Sequence, residues 1–148
     1  MERRRIRAED LETLFGFHRD AYRHHVERIW GPWDDAWQRA NFADECRQST
    51  CDVLTDGDDV IGYVQFVEEP RQVRLWNIVI RPDRRGQNIG SGIVRDLQQR
   101  AAARAVALTL RIFPSNDAAY RFYLRLGFRE ATRSTEAIEM IWEASQAT

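Results

Sequence analysis

The period of the hydrophobic pattern changes at Cys51 from that of helices to that of strands, and that change limits the fold more than any other feature of the chain. Before it, Leu11, Leu14, Phe15, His18, Tyr22, His25, Val26 and Ile29 recur at three-and-four spacing, which is one face of an amphipathic helix. Ala8-Glu9-Asp10 starts that helix with acidic residues where the helix dipole favours them, and Gly31-Pro32 stops it. A second helix is predicted from Trp33 to about Arg47. A short strand, Arg3 to Arg7, precedes both. After Cys51 the runs are strand-like and separated by turn signals. Cys51–Leu54, Val60–Val67 and Val73–Ile80 are predicted strands, joined through Asp56-Gly57-Asp58 and Glu68-Glu69-Pro70-Arg71. This reads as an antiparallel meander.

The remainder alternates. A glycine-containing loop from Arg84 to Gly90 opens a helix predicted from about Ile89 to Arg104, with Ile89, Ile93, Val94 and Leu97 as its buried stripe. Val106–Phe113 is a strand. Asn116 is an N-cap candidate for a helix from Asp117 to Leu126, and Gly127 is its natural C-cap. Phe128–Arg133 and Ala137–Trp142 close the chain as strands. The order is strand, two helices, three strands, helix, strand, helix, two strands: an α+β fold with helices on the faces of a mixed sheet.

At 148 residues the chain is expected to be one domain over 1–148 with a single core. Its 43% hydrophobic and 30% charged residues suit a globular chain; disorder would need fewer apolar residues and a larger net charge. A net charge of −1 argues against a general nucleic-acid or anionic-membrane binder, because both lean on excess positive charge. All 22 basic residues are arginine. Guanidinium stays protonated and is a poor nucleophile, so the surface offers an acyl donor little side-chain amine to modify. No apolar run reaches the length of a membrane span and no signal peptide is visible, so a cytoplasmic protein is expected. Cys46 and Cys51 make no metal pattern with His18, His24 or His25; free thiols and no metal are expected.

Arg81-Pro-Asp-Arg-Arg-Gly-Gln-Asn-Ile-Gly-Ser-Gly92 joins a strand with a near-continuous apolar end, Ile78-Val79-Ile80, to a helix. Small residues there let the backbone approach a ligand, and successive amides at a helix start make an anion site. The spacing is G-x-x-x-G-x-G, which fits neither the dinucleotide fingerprint nor a P-loop. One strand further on lies Asn116-Asp-Ala-Ala119-Tyr-Arg-Phe122-Tyr123-Leu-Arg-Leu126-Gly127-Phe128. Together these two motifs resemble the GCN5-related N-acetyltransferases. Arg85-Gly86-Gln87-Asn88-Ile89-Gly90 is similar to that family's donor motif, and the Asn116 segment to its later Asn-x-x-Ala-x-x-Phe-Tyr-x-x-x-Gly-Phe helix. Asn88 stands where the first donor-loop glycine usually sits; asparagine tolerates left-handed backbone better than most residues.

The resemblance implies a central, mostly antiparallel sheet of about seven strands with splayed central strands, flanked by four helices. It implies acetyl-coenzyme A as donor and a primary amine, on a small molecule or peptide, as acceptor. The backbones of Arg85, Gly86, Gln87, Asn88, Ile89, Gly90 and Ser91 would hold the pyrophosphate. Ile78, Val79 and Ile80 would bind the pantetheine arm as an added strand, with Asn116 contacting the same arm. Tyr123 would lie at the thioester and protonate the leaving thiolate. The carboxylate that many members carry on the strand before the donor loop corresponds to Asn77 here, which takes no proton. Glu68 is the replacement candidate for a base, ahead of Glu69, Asp34 and Asp35; a water chain or an acceptor of low pKa are the alternatives. Trp30, Trp33 and Trp37 are candidates to line an acceptor site, and Arg84 and Arg85 to bind phosphate. Members often form homodimers, which leaves that state open. Asn77 and Asn88 keep a second reading open, a coenzyme A-binding regulatory module without turnover.

Overall fold

The computed structural model describes residues 1–144. Among them the elements follow the expected order: β1 (Glu2–Arg5), α1 (Leu11–Trp30), α2 (Asp35–Gln48), β2 (Thr50–Asp56), β3 (Asp59–Glu69), β4 (Gln72–Ile80), α3 (Ile89–Ala103), β5 (Ala107–Ile112), α4 (Asp117–Arg125), β6 (Arg129–Arg133) and β7 (Ile138–Trp142). Short 3-10 turns at Ala8–Asp10 and Pro82–Arg84 complete the set. The seven strands form one sheet in the order β1-β2-β3-β4-β5-β7-β6. The β4–β5 ladder is parallel and spans four pairs, Gln72–Ala107 to Leu75–Leu110, whereas β4 itself continues to Ile80. The ladders of β1–β2, β2–β3, β5–β7 and β6–β7 are antiparallel. This is the expected mixed, mostly antiparallel α+β sheet with four helices.

The chain divides into two compact units, one of Met1–Phe66 with Asn77–Gln87, the other of Val67–Trp76 with the chain from Asn88 onward. In the first, the apolar stripe of α1 buries Leu14 and Phe15 with Phe42 and Cys46 of α2 and with Val53, Tyr63 and Val79 of the sheet. Burial of each large side chain stabilises the fold by about 1.5–3 kcal/mol. Several boundaries differ from the sequence reading: β1 ends at Arg5 rather than Arg7, β2 runs Thr50–Asp56 rather than Cys51–Leu54, and β3 runs Asp59–Glu69 rather than Val60–Val67. Two further shifts have a visible cause. Ala8–Asp10 is a 3-10 turn rather than the start of α1, because the Asp10 carboxylate is committed to Arg4 (2.7 and 3.0 Å) and to the Arg7 amide (2.8 Å). Trp33 precedes α2, whose N-cap is Asp34; the Asp34 carboxylate accepts from the Trp37 amide at 3.0 Å.

Two residues, Pro70 and Arg71, join β3 to β4. In the first unit, Asn77 of β4 bonds Gln65 of β3 and the Arg81 amide bonds the Ile61 carbonyl, and Val79 packs in one cluster with Tyr63.

In the second unit, Ile93, Val94, Leu97 and Ala101 are the buried stripe of α3, one position inward of the predicted set at its start. Gln98 is buried with them and donates to the Leu126 carbonyl at the end of α4 (2.8 Å). β5 is held between β4 and β7, and Arg74 of β4 bridges to both carboxylate oxygens of Glu139 on β7 at 3.1 Å. Gly127 ends α4 at φ 92°, a left-handed conformation that L side chains rarely adopt.

Candidate functional site

In the first unit, Ile78–Ile80 end β4 and lead into a turn that is heavily pinned. The Arg81 amide donates to the Ile61 carbonyl (2.8 Å), the Arg84 amide to Arg81 (2.9 Å) and the Arg85 amide to Pro82 (3.3 Å). The Arg81 guanidinium is shared between Asp59 (3.0 Å) and Asp83 (2.6 Å), and Arg84 is paired with Asp56 (2.6 Å). These guanidinium partners hold Asp56, Asp59 and Asp83 below the usual carboxylate range. Arg84, a candidate phosphate ligand from sequence, is therefore occupied as a buttress of the turn. Arg85 bonds the Ile80 carbonyl through Nε (3.1 Å), which leaves the outer guanidinium nitrogens for other duty. Gly86 follows at φ 80°, where a glycine is required.

In the second unit, Asn88 is the N-cap of α3 at φ 63° and ψ 17°. Its left-handed backbone makes its tolerance of that region, rather than its side chain, the reason an asparagine fits. The side chain caps nothing. The first helical bond runs from the Gly92 amide to the Asn88 carbonyl (3.1 Å), so the amides of Ile89, Gly90 and Ser91 belong to the unbonded first turn. The first turn also holds no acidic residue. Elsewhere, α1 has Glu12 in its first turn, α2 has Asp35 and an Asp34 cap, and α4 has Asp117 and an Asn116 cap. Among the four helices of the described residues, α3 alone presents its positive end with neither a side-chain cap nor an acid.

Asn116 is an N-cap, accepting from the Ala119 amide at 3.2 Å. Tyr123 of α4 is buried, with Phe122 and Phe128 edge-on to its ring at 5.0 and 5.3 Å. Glu68, near the end of β3, is paired with Arg100 of α3 at 3.2 Å, and Glu69 accepts from Gln72 (3.0 Å).

Sequence reasoning missed a buried polar chain in the first unit. Asn77 donates to the Gln65 amide oxygen at 2.8 Å, Gln65 is wholly buried, and its nitrogen reaches the Cys46 sulfur at 3.4 Å. Cys46 and Cys51 lie 3.8 Å apart as free thiols. Hydrogen bonding to Cys46 and burial push the Cys51 thiol up, so it stays protonated. Asn77 meets Gln65 through the pairing of two strands, which leaves no periodic signal.

The tryptophans part company. Trp33 is buried with its ring 6.3 Å from Phe15, whereas Trp30 and Trp37 are more than half exposed. His18 sits among Phe15, Tyr22, Trp33 and Phe42, with its Nδ1 2.9 Å from the Tyr63 hydroxyl. Burial lowers the His18 pKa to about 4 and raises those of Tyr22 and Tyr63, so all three are neutral at pH 7. The Arg85 charge reaches the Tyr22 hydroxyl and opposes that rise. Asp34 is a cap and Asp35 is bonded to Trp33 (3.0 Å) and Arg39 (3.0 Å), so neither carboxylate stands uncommitted. Among the described residues no cluster of three metal-ligating side chains occurs, and no helix is long and apolar enough to cross a membrane.

Comparison with known proteins gives the same picture. A sequence model of the acetyltransferase (GNAT) family matches residues 11–128. An L-2,4-diaminobutyric acid acetyltransferase of Shouchella clausii is 28% identical over 81 residues, 52% of this chain and 46% of its own length. One of the same name from Nocardia farcinica is 31% identical over 78 residues, 52% of this chain and 40% of its own. The chain thus matches less than half the length of these curated relatives. The fold is similar to that of a PaiA N-acetyltransferase from Thermoplasma acidophilum solved in complex with coenzyme A, with a TM-score of 0.77 at 16% identity, covering 96% of this chain and 98% of that one.

Proposed function

The chain belongs to the acetyltransferase (GNAT) family, and we propose that it transfers the acetyl group of acetyl-coenzyme A directly to the primary amine of an acceptor. The family match crosses both compact units, which supports treating them as one transferase domain. The observation that carries the reading is the start of α3, the one helix of the four among the described residues left with neither a side-chain cap nor an acid. A pyrophosphate is the partner such an end fits: each charge placed there gains about 0.3–1 kcal/mol from the dipole, and more where several amides converge.

In this reading the amides of Gly86 to Ser91 hold the pyrophosphate, the Arg85 amide being turned to Pro82, and the backbone of Ile78, Val79 and Ile80 takes the pantetheine arm as an added strand. Acetyl-coenzyme A supplies an activated thioester. Asn116 contacts the arm through the amide nitrogen that its cap leaves over, and the Tyr123 hydroxyl gives a proton to the departing thiolate. A thiol near pKa 8.5 is a tolerable leaving group, so that proton is worth about 10²-fold. The acceptor must shed a proton first. For an alkyl amine near pKa 10.4 this costs about 4.6 kcal/mol at pH 7. Asn77 is spent on Gln65, and Glu68 beside Arg100 is the proposed proton acceptor.

The test is release of free thiol from acetyl-coenzyme A in the presence of amines, with acetylated product identified by mass. Amine-dependent release supports the transferase. The commitment of Asn77 to Gln65 favours the second reading, a coenzyme A-binding module without turnover; tight binding with no release for any amine would establish it and overturn the first.

A further inference from the structure

The His18–Tyr63 pair has no part in the chemistry above, and its hydrogen-bond accounting fixes a proton. Tyr63 is wholly buried, and His18 Nδ1, at 2.9 Å, is its hydroxyl's one hydrogen-bond partner among the described residues. Were Nδ1 protonated and donating, the phenolic proton would be buried with no acceptor, which is the costly arrangement. Tyr63 therefore donates to Nδ1, and the imidazole proton resides on Nε2. Nε2–H has no protein partner among the described residues. No fully buried side-chain nitrogen or oxygen there lacks one either, so Nε2 is not fully buried. Its surroundings, Phe15, Tyr22, Trp33 and Phe42, are uncharged rings that hold the imidazole in one orientation.

The pair also belongs to the unit that carries Ile78–Ile80 and Arg85. Tyr22, one turn on from His18 and edge-on to it at 5.0 Å, feels the charge of Arg85. Tyr63 shares its core cluster with Val79 of β4. We propose that His18, fixed by Tyr63, is a specificity-determining residue whose Nε2–H donates a hydrogen bond to a carboxylate or amide oxygen borne by the amine acceptor near its nucleophilic nitrogen. This rests on the acetyltransferase reading and names the class of its acceptor: an amino acid or amino amide rather than a plain polyamine. A fixed neutral donor discriminates by leaving itself unpaired when the oxygen is missing.

Three matched probes test it: L-2,4-diaminobutyrate, its amide, and 1,3-diaminopropane, which presents the same reach between nitrogens with no oxygen. The expected result is a kcat/KM for one or both oxygen-bearing probes at least about tenfold above that for 1,3-diaminopropane; which of the two leads tells carboxylate from amide. His18→Phe keeps the ring and removes the donor, so it should erase the preference through KM, and His18→Gln, which restores an N–H at about the same reach, should recover part of it. Because a variant can misfold, nitrogen-15 shifts of the wild-type imidazole are the second measurement. They should show the neutral Nε2–H form, and Tyr63→Phe should mix the two tautomers. Equal turnover of the three probes, no turnover of either oxygen-bearing probe, or an Nδ1–H tautomer would overturn the proposal while coenzyme A binding left the family reading standing. Failure of the wild-type chain to bind coenzyme A would refute that reading instead.

Discussion

Replacing Gly62 by alanine probes the place where β3 and β4 come closest. A Cβ at Gly62 would overlap the Val79 carbonyl oxygen and stand 3.2 Å from Ile80 Cα and 3.3 Å from Ile80 Cδ1. Two of those three obstacles are backbone, so no rotamer change relieves the overlap and the strands must move. Overpacking of this kind costs about 1–3 kcal/mol. With a urea slope of about 2 kcal/mol/M, the unfolding midpoint should fall by roughly 0.5–1.5 M. Gly16→Ala is the control: it lies in α1 with nothing within 4 Å of the added methyl, and should stabilise by about 0.5–1 kcal/mol through helix propensity. Since Val79 and Ile80 are the proposed contacts of the pantetheine arm, Gly62→Ala should also weaken coenzyme A binding, and Gly16→Ala should not. Urea titrations and calorimetry read both effects. A Gly62→Ala midpoint indistinguishable from wild type would refute the claimed close approach.

Ser91→Glu places a carboxylate in the acid-free first turn of α3, so it should raise stability by about 0.3–1 kcal/mol while weakening coenzyme A roughly tenfold or more; the opposite signs are read by urea titration and calorimetry. Tyr123→Phe should slow turnover by about 10²-fold where chemistry limits the rate, with little change in donor affinity. Asp10→Asn removes charge-assisted bonds to Arg4 and should cost about 1.5–3 kcal/mol at pH 7. The Arg4 hydrogen bond holds the Asp10 carboxyl below its unfolded value near 3.9. The stability it adds is therefore present above that pH and lost as pH falls through the lower folded value, where wild type and variant should converge. His18 runs on a different window. Burial lowers it to about 4 from 6.5, so the unfolded chain binds the extra proton first and stability declines as pH falls from 6.5 towards 4. His18→Phe should flatten that decline in urea titrations across the window.

Local signals carried most of the fold. Asn116 was legible as a cap because capping is a contact three residues long, and it does accept from the Ala119 amide. Gly127 was legible because a left-handed helix end favours glycine. The α3 turn was legible as a strand, a run of small residues and a helix in succession. Trp33 misled because its apolar spacing continues the α2 pattern, whereas its side chain packs on Phe15 before the helix begins. What stayed hidden is non-local. Tyr63 lies 45 residues from His18, and Asn77 meets Gln65 across a separation of 12. The insertion of β5 between β4 and β7 likewise depends on packing over the whole sheet, which no window of sequence displays.

The central claim is that the backbone at the start of α3 grips a pyrophosphate. Calorimetric titration of the wild-type chain with coenzyme A and, separately, with pantetheine, which has the thiol arm but no pyrophosphate, tests it most directly. The account predicts saturable binding of coenzyme A and an affinity for pantetheine lower by about 10²-fold or more, roughly 2.7 kcal/mol. Equal affinity for the two, or no binding of coenzyme A, would contradict it.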